Sequence, residues 1–250
     1  MRRPPLCRIL EWDTAFFGVR IGRIEPERIS TDDIKRVLEW CREEQVQCLY
    51  FLCAPDDDQT VKIAEAHGFH LVDIRVDLSK QISPGGELSQ LQPGAFAVHP
   101  YRKEDWPILQ RIAETSYTDT RFFYDEHFTR EQAAALYREW LRKSCDEFAD
   151  ALLVAQNQEN VASGFITCHV DSPQAGRIGL VGVSDEARGA GVGQLLVRAA
   201  LSYFAERGVS EVGVVTQGRN LAAQRLYQKC GFRSRSLHLW YHKWFTDSDD

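Results

Sequence analysis

No stretch of this 250-residue chain stays apolar for long enough to cross a membrane, so no membrane-spanning helix is expected. The opening Met1-Arg2-Arg3-Pro4-Pro5-Leu6-Cys7-Arg8 lacks the apolar core of a secretory signal, which predicts a cytoplasmic protein. Paired cysteine motifs are missing too. The seven cysteines are odd in number and include no Cys-x-x-Cys, so neither a disulfide framework nor a zinc site is implied, and no metal is expected. Positive charge is short: 30 Lys and Arg face 36 Asp and Glu, a net charge of −6 that disfavours nucleic acid as a general partner. What is present is apolar content of 44%, enough at this length for two domains with separate cores.

The most informative segment is Arg188-Gly189-Ala190-Gly191-Val192-Gly193. Before it, Ile178 to Val183 reads as a buried strand. After it, Val192, Leu195, Leu196, Ala199, Ala200, Tyr203 and Phe204 keep the spacing of one helical face until Gly208. A strand, a glycine turn and a helix N-terminus aim several backbone N–H groups at one point, where the helix dipole favours an anion. Glycine tolerates left-handed backbone and lets a phosphate approach the main chain. The segment is not a P-loop, because no Lys-Ser or Lys-Thr follows the glycines. It is not the dinucleotide fingerprint either, since Gln194 stands where the third glycine belongs. An ordinary glycine-rich turn is the alternative.

Further along, Glu211 to Val215 reads as a second parallel strand. Asn220 opens a helix with Ala223, Leu226, Tyr227 and Cys230, Gly231 ends it, and Phe232 leads into a last apolar segment, Leu237 to Trp244. Arg-x-x-Gly-x-Gly, then Asn-x6-Tyr, then Cys-Gly-Phe resembles the coenzyme A-binding half of the GNAT N-acetyltransferase superfamily, over roughly 151–244. The resemblance implies an α/β (α+β) fold with a mixed, V-splayed central sheet, acetyl-CoA as co-substrate and N-acetyl transfer as the reaction. It assigns the coenzyme to Val181, Gly182 and Val183 on the strand, to Arg188, Gly189, Ala190, Gly191, Val192 and Gly193 in the loop, and to Asn220 and Tyr227. Gly182 would be a bulge that frees a backbone N–H for the thioester carbonyl, or else a packing glycine. Tyr227 would protonate the departing thiolate, the alternative being a packed helical tyrosine. Asn220 would touch the pantetheine arm or cap its helix, and both can hold. No general base stands out among His99, His127, His169, Glu126 and Asp125.

The first part of the chain echoes the second. Cys48 to Ala54 reads as a strand, Asp57 to Ala66 as a helix, His67-Gly68-Phe69 as its end, and Val72 to Leu78 as another strand. Aligned on the Gly-Phe pair, Asp57 falls on Asn220 and Ala64 on Tyr227, and no glycine loop precedes this copy. A degenerate GNAT-like half-domain, without coenzyme loop or acid, is expected over 1–88, with the catalytic domain over 89–250. The Pro- and Gly-rich linker is placed near 82–94. Ser30 and Asp33 start an earlier helix, Lys103 to Ser116 forms another, and Thr129 to Gln132 has capping-box spacing. The tail Thr246 to Asp250 is expected to be disordered.

For the acceptor amine, Tyr117 to Phe128 concentrates aromatics and charge between two helices. Arg121 is expected to clamp a phosphate, with Phe122, Phe123 and Tyr124 stacking on a base or sugar, unless Arg121 is solvated or paired with Asp125. The aromatic cluster Trp12 to Phe17 puts Phe17 on the same list. That opening, the Arg-Phe loop and Ala175-Gly176-Arg177-Ile178-Gly179-Leu180 resemble the dTDP-fucosamine acetyltransferase family. The resemblance implies a nucleotide-linked amino sugar as acceptor and a homodimer. The alternatives are a GNAT enzyme for another small amine or a protein N-terminus, and a coenzyme A-binding sensor without turnover.

Overall fold

A computed structural model describes residues 5–83 and 95–245. Most of the linker predicted over 82–94, and the tail Thr246–Asp250, lie outside the described residues. In chain order the elements are β1 (Cys7–Ile9), α1 (Glu11–Phe17), β2 (Ile21–Ile24), α2 (Thr31–Glu43), β3 (Cys48–Cys53), α3 (Asp58–Ala66) and β4 (His70–Gln81). There follow β5 (Phe96–Pro100), α4 (Trp106–Ser116), α5 (Arg121–Tyr124), α6 (Arg130–Lys143), β6 (Ala151–Asn157), β7 (Ala162–Val170) and β8 (Ala175–Val183). The last four are α7 (Val192–Glu206), β9 (Glu211–Gln217), α8 (Leu221–Lys229) and β10 (Arg233–Trp244).

The chain forms two compact units. One holds residues up to 75 together with 124–126 and 237 onward; the other holds 76–123 and 127–236. The division predicted from the sequence, 1–88 and 89–250, follows chain order, whereas the units do not. The later part of β4 belongs to the second unit and the later part of β10 to the first.

In the first unit β1 pairs antiparallel with β2, β2 parallel with β3, and β3 antiparallel with β10, from Leu239 opposite Cys53 to Trp244 opposite Cys48. All six residues of β3 are buried, as expected of an apolar run without alternation. Ser30 and Asp33 start α2 as predicted, and the structure shows them closing a capping box: the Asp33 N–H donates to the Ser30 hydroxyl at 3.2 Å, and the Ser30 N–H donates to the Asp33 carboxylate at 3.1 Å. Ile34, Val37 and Cys41 then face a core with Leu49, Phe51, Ile63 and Phe69.

In the second unit the strand order is β4–β9–β8–β7–β6–β5. Strands β5 to β8 are antiparallel to one another, and β8 runs parallel to β9. Side chains alternate across β7, so the sheet supports a core on each face. Ile166 and Cys168 meet Leu196, Ala200 and Phe204 of α7, while Phe165 meets Leu109, Ile112 and Ala113 of α4. Thr129 caps α6 as predicted, its hydroxyl accepting from the Gln132 N–H at 3.1 Å.

The echo between the halves extends to individual hydrogen bonds. Gly231 (φ +87°) lets the Phe232 N–H reach back to the Tyr227 carbonyl at 3.0 Å and the Gly231 N–H to Gln228 at 2.9 Å. Gly68 (φ +71°) does the same for Phe69 and Ala64 at 3.1 Å and for Gly68 and Glu65 at 3.1 Å. Both ends are Schellman motifs, in which a left-handed glycine turns the chain and the next residue packs back on the helix. Ala64 occupies the place that Tyr227 holds in the second copy.

Candidate active site

The ladder between β8 and β9 runs only from Ala175 opposite Glu211 to Ile178 opposite Val214, although β8 continues to Val183 and β9 to Gln217. Beyond Ile178 the strands part, giving the predicted V. The ladder irregularity on β8 is not at Gly182, which pairs in register with Phe165. It falls between Ile166 and Cys168, opposite Gly179 and Leu180. There the Leu180 N–H turns to the Thr167 hydroxyl at 2.7 Å. Gly182 is instead a packing glycine, because a Cβ would lie 2.6 Å from the Phe165 ring. Past the irregularity, the Leu180 N–H and the Ser184 N–H (2.9 Å to the Ser163 carbonyl) are directed at β7. Main-chain groups alternate along a strand, so the amides of Val181 and Val183 point into the V.

After β8 a short 3-10 turn, Asp185–Ala187, leads to the glycine segment, and α7 begins at Val192. Gly189 (φ +79°) and Gly191 (φ +87°) are left-handed, with open space where a side chain would be. Gly191 occupies the α7 cap and offers no side chain to the first-turn amides, so these remain for an anion. The other predicted loop residues divide differently. The amides of Arg188 and Ala190 bond within the turn, to the carbonyls of Asp185 and Ala187, both at 3.3 Å. The Arg188 guanidinium meets Asp185 at 2.8 Å in an exposed pair, which a phosphate can replace at little cost. Gly193 lets α7 approach α8, since a Cβ would sit 3.1 Å from Leu226.

These elements surround a cavity of about 530 Å³. Val181 and Val183 line it from the strand, Arg188, Gly189, Gly191, Val192 and Gly193 from the loop, and Tyr227 from α8; Gly182, Ala190 and Asn220 of the predicted set do not line it. Distant parts of the predicted coenzyme set thus meet at one place. Arg225 and Lys229 also line it, adding cations suited to phosphate. Their spacing of four on one helix, readable in the sequence, puts them on one face. Asn220 caps α8, its side-chain oxygen accepting from the Ala223 N–H at 2.9 Å. Tyr227 is 5% exposed and packs against Phe232, with ring centroids 5.8 Å apart. Burial, helped by Cys230, holds its phenol well above the usual tyrosine range, so it keeps its proton at neutral pH. A second cavity, about 560 Å³, lies between α4, the β6–β7 turn and residues 184–187, and no predicted site residue lines it.

The predicted acceptor residues do not line the 530 Å³ cavity. Phe17 and Phe122 are buried, the first against Phe16 and the second against Phe128 and Trp140, so neither ring is presented to a ligand. Tyr124 is exposed, and the Arg121 guanidinium lies 4.5 Å over the Phe122 ring. Asp125, named as a possible base and as a partner for Arg121, is buried in the first unit. It accepts from His242 Nδ1 at 2.6 Å and from Trp244 Nε1 at 2.9 Å. His169 is buried beside Thr167, and burial together with nearby Arg177 lowers its pKa. His99 Nδ1 lies 2.8 Å from the Pro100 carbonyl, while Glu126 and His127 are exposed. Among the described residues no group of His, Cys, Asp and Glu has the arrangement of a metal site.

Comparison with known proteins decides the family. The model of the acetyltransferase (GNAT) family matches residues 106–232, just over half of the chain. The chain belongs to the GNAT family of N-acetyltransferases. The family's donor is acetyl-CoA, and the open amides and cations of the 530 Å³ cavity suit its paired phosphates. A dTDP-fucosamine acetyltransferase of Escherichia coli is 24% identical over 94% of this chain and 96% of its own length. The spore coat polysaccharide biosynthesis protein SpsD of Bacillus subtilis is 25% identical over 61% of the chain, and a mycothiol acetyltransferase of Kytococcus sedentarius 29% over 62%. The chain spans about half the length of these two relatives (52% and 53%). Among solved structures, a GCN5-related N-acetyltransferase from Sphaerobacter thermophilus aligns with a TM-score of 0.65 at 16% identity, over 95% of this chain and 76% of that one. A tandem GNAT protein from the clavulanic acid biosynthesis pathway gives 0.63 at 16% identity, over 91% and 76%. At these identities the likeness is one of fold, and it includes the half-domain ahead of the GNAT region. No helix among the described residues is long and apolar enough to cross a membrane.

Proposed function

We propose that this GNAT enzyme transfers acetyl from acetyl-CoA to an amino group of a nucleotide-activated amino sugar, directly, in a ternary complex. The observation that carries the acceptor is the end-to-end similarity to the dTDP-fucosamine acetyltransferase, 94% of one chain against 96% of the other.

In this reading the amides of Gly189, Gly191, Val192 and Gly193 take the paired phosphates at the start of α7, with Arg188, Arg225 and Lys229 balancing their charge. The Val181 amide takes the thioester carbonyl. The neutral amine attacks the carbonyl carbon, a C–N bond forms, and the carbonyl electron pair moves onto oxygen. When it returns, the C–S bond breaks, Tyr227 gives its proton to the departing sulfur, the new amide nitrogen loses a proton to water, and water returns a proton to Tyr227. A thiol titrates near ~8.5 and a phenol near ~10, so this proton transfer is uphill in water. Burial raises the Tyr227 phenol, but the same surroundings disfavour a naked thiolate, so the mismatch at the site is not widened by desolvation alone. Asn220 orders α8 and its amide meets the pantetheine arm. Arg121 engages the nucleotide phosphates, and replacing it with Ala should raise KM for the acceptor while sparing KM for acetyl-CoA.

A panel of amines offered to the purified protein with acetyl-CoA tests the acceptor. Turnover of a nucleotide amino sugar is expected; turnover of a polyamine or peptide with none on any nucleotide sugar overturns it. The repeated similarity to mycothiol acetyltransferases, for example 33% over 37% of the chain, favours as second reading a small amine of another kind. The same panel separates the two. The retained Tyr227 opposes a sensor without turnover.

A further inference from the structure

Alternate residues of the later part of β4 face the core of the second unit: Val76 and Leu78 are buried in it, and Ile82 just beyond the strand packs against it. Lys80 stands in that apolar row. An ammonium there needs a polar partner, and it has one 150 residues further on: Lys80 Nζ donates to the Cys230 carbonyl at 2.7 Å. Cys230 caps the end of α8, where a helix leaves carbonyls unpaired and carries partial negative charge. The lysine stem runs past Gly231, where a Cβ would lie 3.2 Å from Nζ and 3.4 Å from Cε. Tyr227 is one turn back from this contact. Its own carbonyl takes the Cys230 and Phe232 N–H groups, both at 3.0 Å, and it shares a core with Val76, Leu78 and Cys230. With nine residues, α8 is too short to hold its shape unaided. The Asn220 cap fixes its start, and the Gly231 turn and Lys80 fix its end. Lys80 comes before the Pro- and Gly-rich segment of the sequence, yet it belongs to the same unit as the residues around the 530 Å³ cavity.

We infer that Lys80 is a positioning residue for acetyl transfer: its ammonium ties the end of α8 to β4 and so keeps Tyr227 at the cavity wall. The inference rests on the reading of Tyr227 as the acid that protonates the departing thiolate. Lys80 does not line the cavity, so it acts through the helix and not on coenzyme or acceptor. The loop before α7 supplies the amides for the phosphates, and these do not depend on the end of α8. Loss of the tie should therefore spare coenzyme binding and weaken the proton transfer, since a small displacement of an aimed group is costly to rate.

Lys80→Met removes the ammonium and keeps an apolar stem, while Lys80→Arg keeps a cation. The test measures kcat with the amine of the panel that is acetylated fastest, and acetyl-CoA affinity by calorimetry, in each variant and again in the Tyr227→Phe background. In Lys80→Met kcat should fall about tenfold while affinity changes by less than about threefold, and Lys80→Arg should recover most of the loss. With Tyr227→Phe already in place, Lys80→Met should lower kcat by no more than about twofold, because residues that act as one unit do not add. A loss of similar size in both backgrounds, a loss of affinity as large as that of kcat, or an unchanged kcat overturns the role of Lys80 and leaves Tyr227 as the acid. Unchanged turnover in Tyr227→Phe alone overturns that reading and the inference with it. Should Lys80→Met fail to fold, Lys80→Gln takes its place with the same expected and contrary results.

Discussion

Tyr227 is held by its own helix end. It stands at the third position from the end of α8, where the Phe232 N–H bonds its carbonyl and the Phe232 ring packs on its own. The hydroxyl is thereby carried to the cavity wall without a side-chain partner being needed to aim it. Tyr227→Phe keeps that packing, so turnover should fall at least ~100-fold while acetyl-CoA affinity stays within about threefold. Steady-state kinetics beside calorimetry would show it. Because burial lifts this phenol above the ordinary value of 10, its proton is not lost in the working range. The rate profile should therefore rise as the acceptor amine becomes neutral and show no alkaline fall up to about pH 9. A fall between pH 7 and 9 that vanishes in Tyr227→Phe would contradict the assignment. At this scale spacing in the sequence located the helix that Asn220 caps and that carries Tyr227 to the cavity, because both lie within one strand-helix-turn unit. It misjudged Phe17 and Phe122, since a cluster of aromatics reads alike whether it is core or rim.

The elements around the cavity use glycine for two separate purposes, and substitution should separate them. Gly191 is left-handed with open space around it, so Gly191→Ala strains the turn by ~1–2 kcal/mol without a clash. A surface turn can relax, and the expected result is roughly tenfold weaker acetyl-CoA binding with little change in melting temperature. Gly182→Ala meets the Phe165 ring at 2.6 Å and should cost ~1–3 kcal/mol of stability, lowering Tm by several degrees. Asn220→Ala removes the α8 cap at ~1 kcal/mol, a fall of about 2–4 °C. Calorimetry and thermal melting on the three variants check the division. The elements themselves were legible, from the helix start at Ser30 and the capping box at Thr129 to glycine terminators at Gly68 and Gly231. The place of the ladder irregularity was not: it depends on the Thr167 side chain of a neighbouring strand capturing the Leu180 amide beside Gly179, and β8 alone does not tell Gly179 from Gly182.

Across the whole molecule the repeated strand-helix-turn unit was visible in the sequence, while the division of β4 and β10 between the two units was not. Strand pairing joins residues as distant as Cys53 and Leu239, and local pattern carries no record of it. Buried phenols set an alkaline limit on the fold. Tyr117 and Tyr227 are raised and Tyr241 is pushed up to about 12, mainly by burial. The unfolded chain ionises near 10, so their stabilisation is complete below that pH and is lost as pH climbs toward 12. Melting temperature should hold to about pH 9.5 and then drop steeply; a flat profile to pH 12 would count against the burial of these groups. The account as a whole turns on where acetyl-CoA lies. A crystal structure of the complex should find its paired phosphates on the amides of Gly189, Gly191, Val192 and Gly193 and its sulfur within about 3.5 Å of the Tyr227 hydroxyl. A coenzyme bound elsewhere, or a sulfur remote from that hydroxyl, would contradict it.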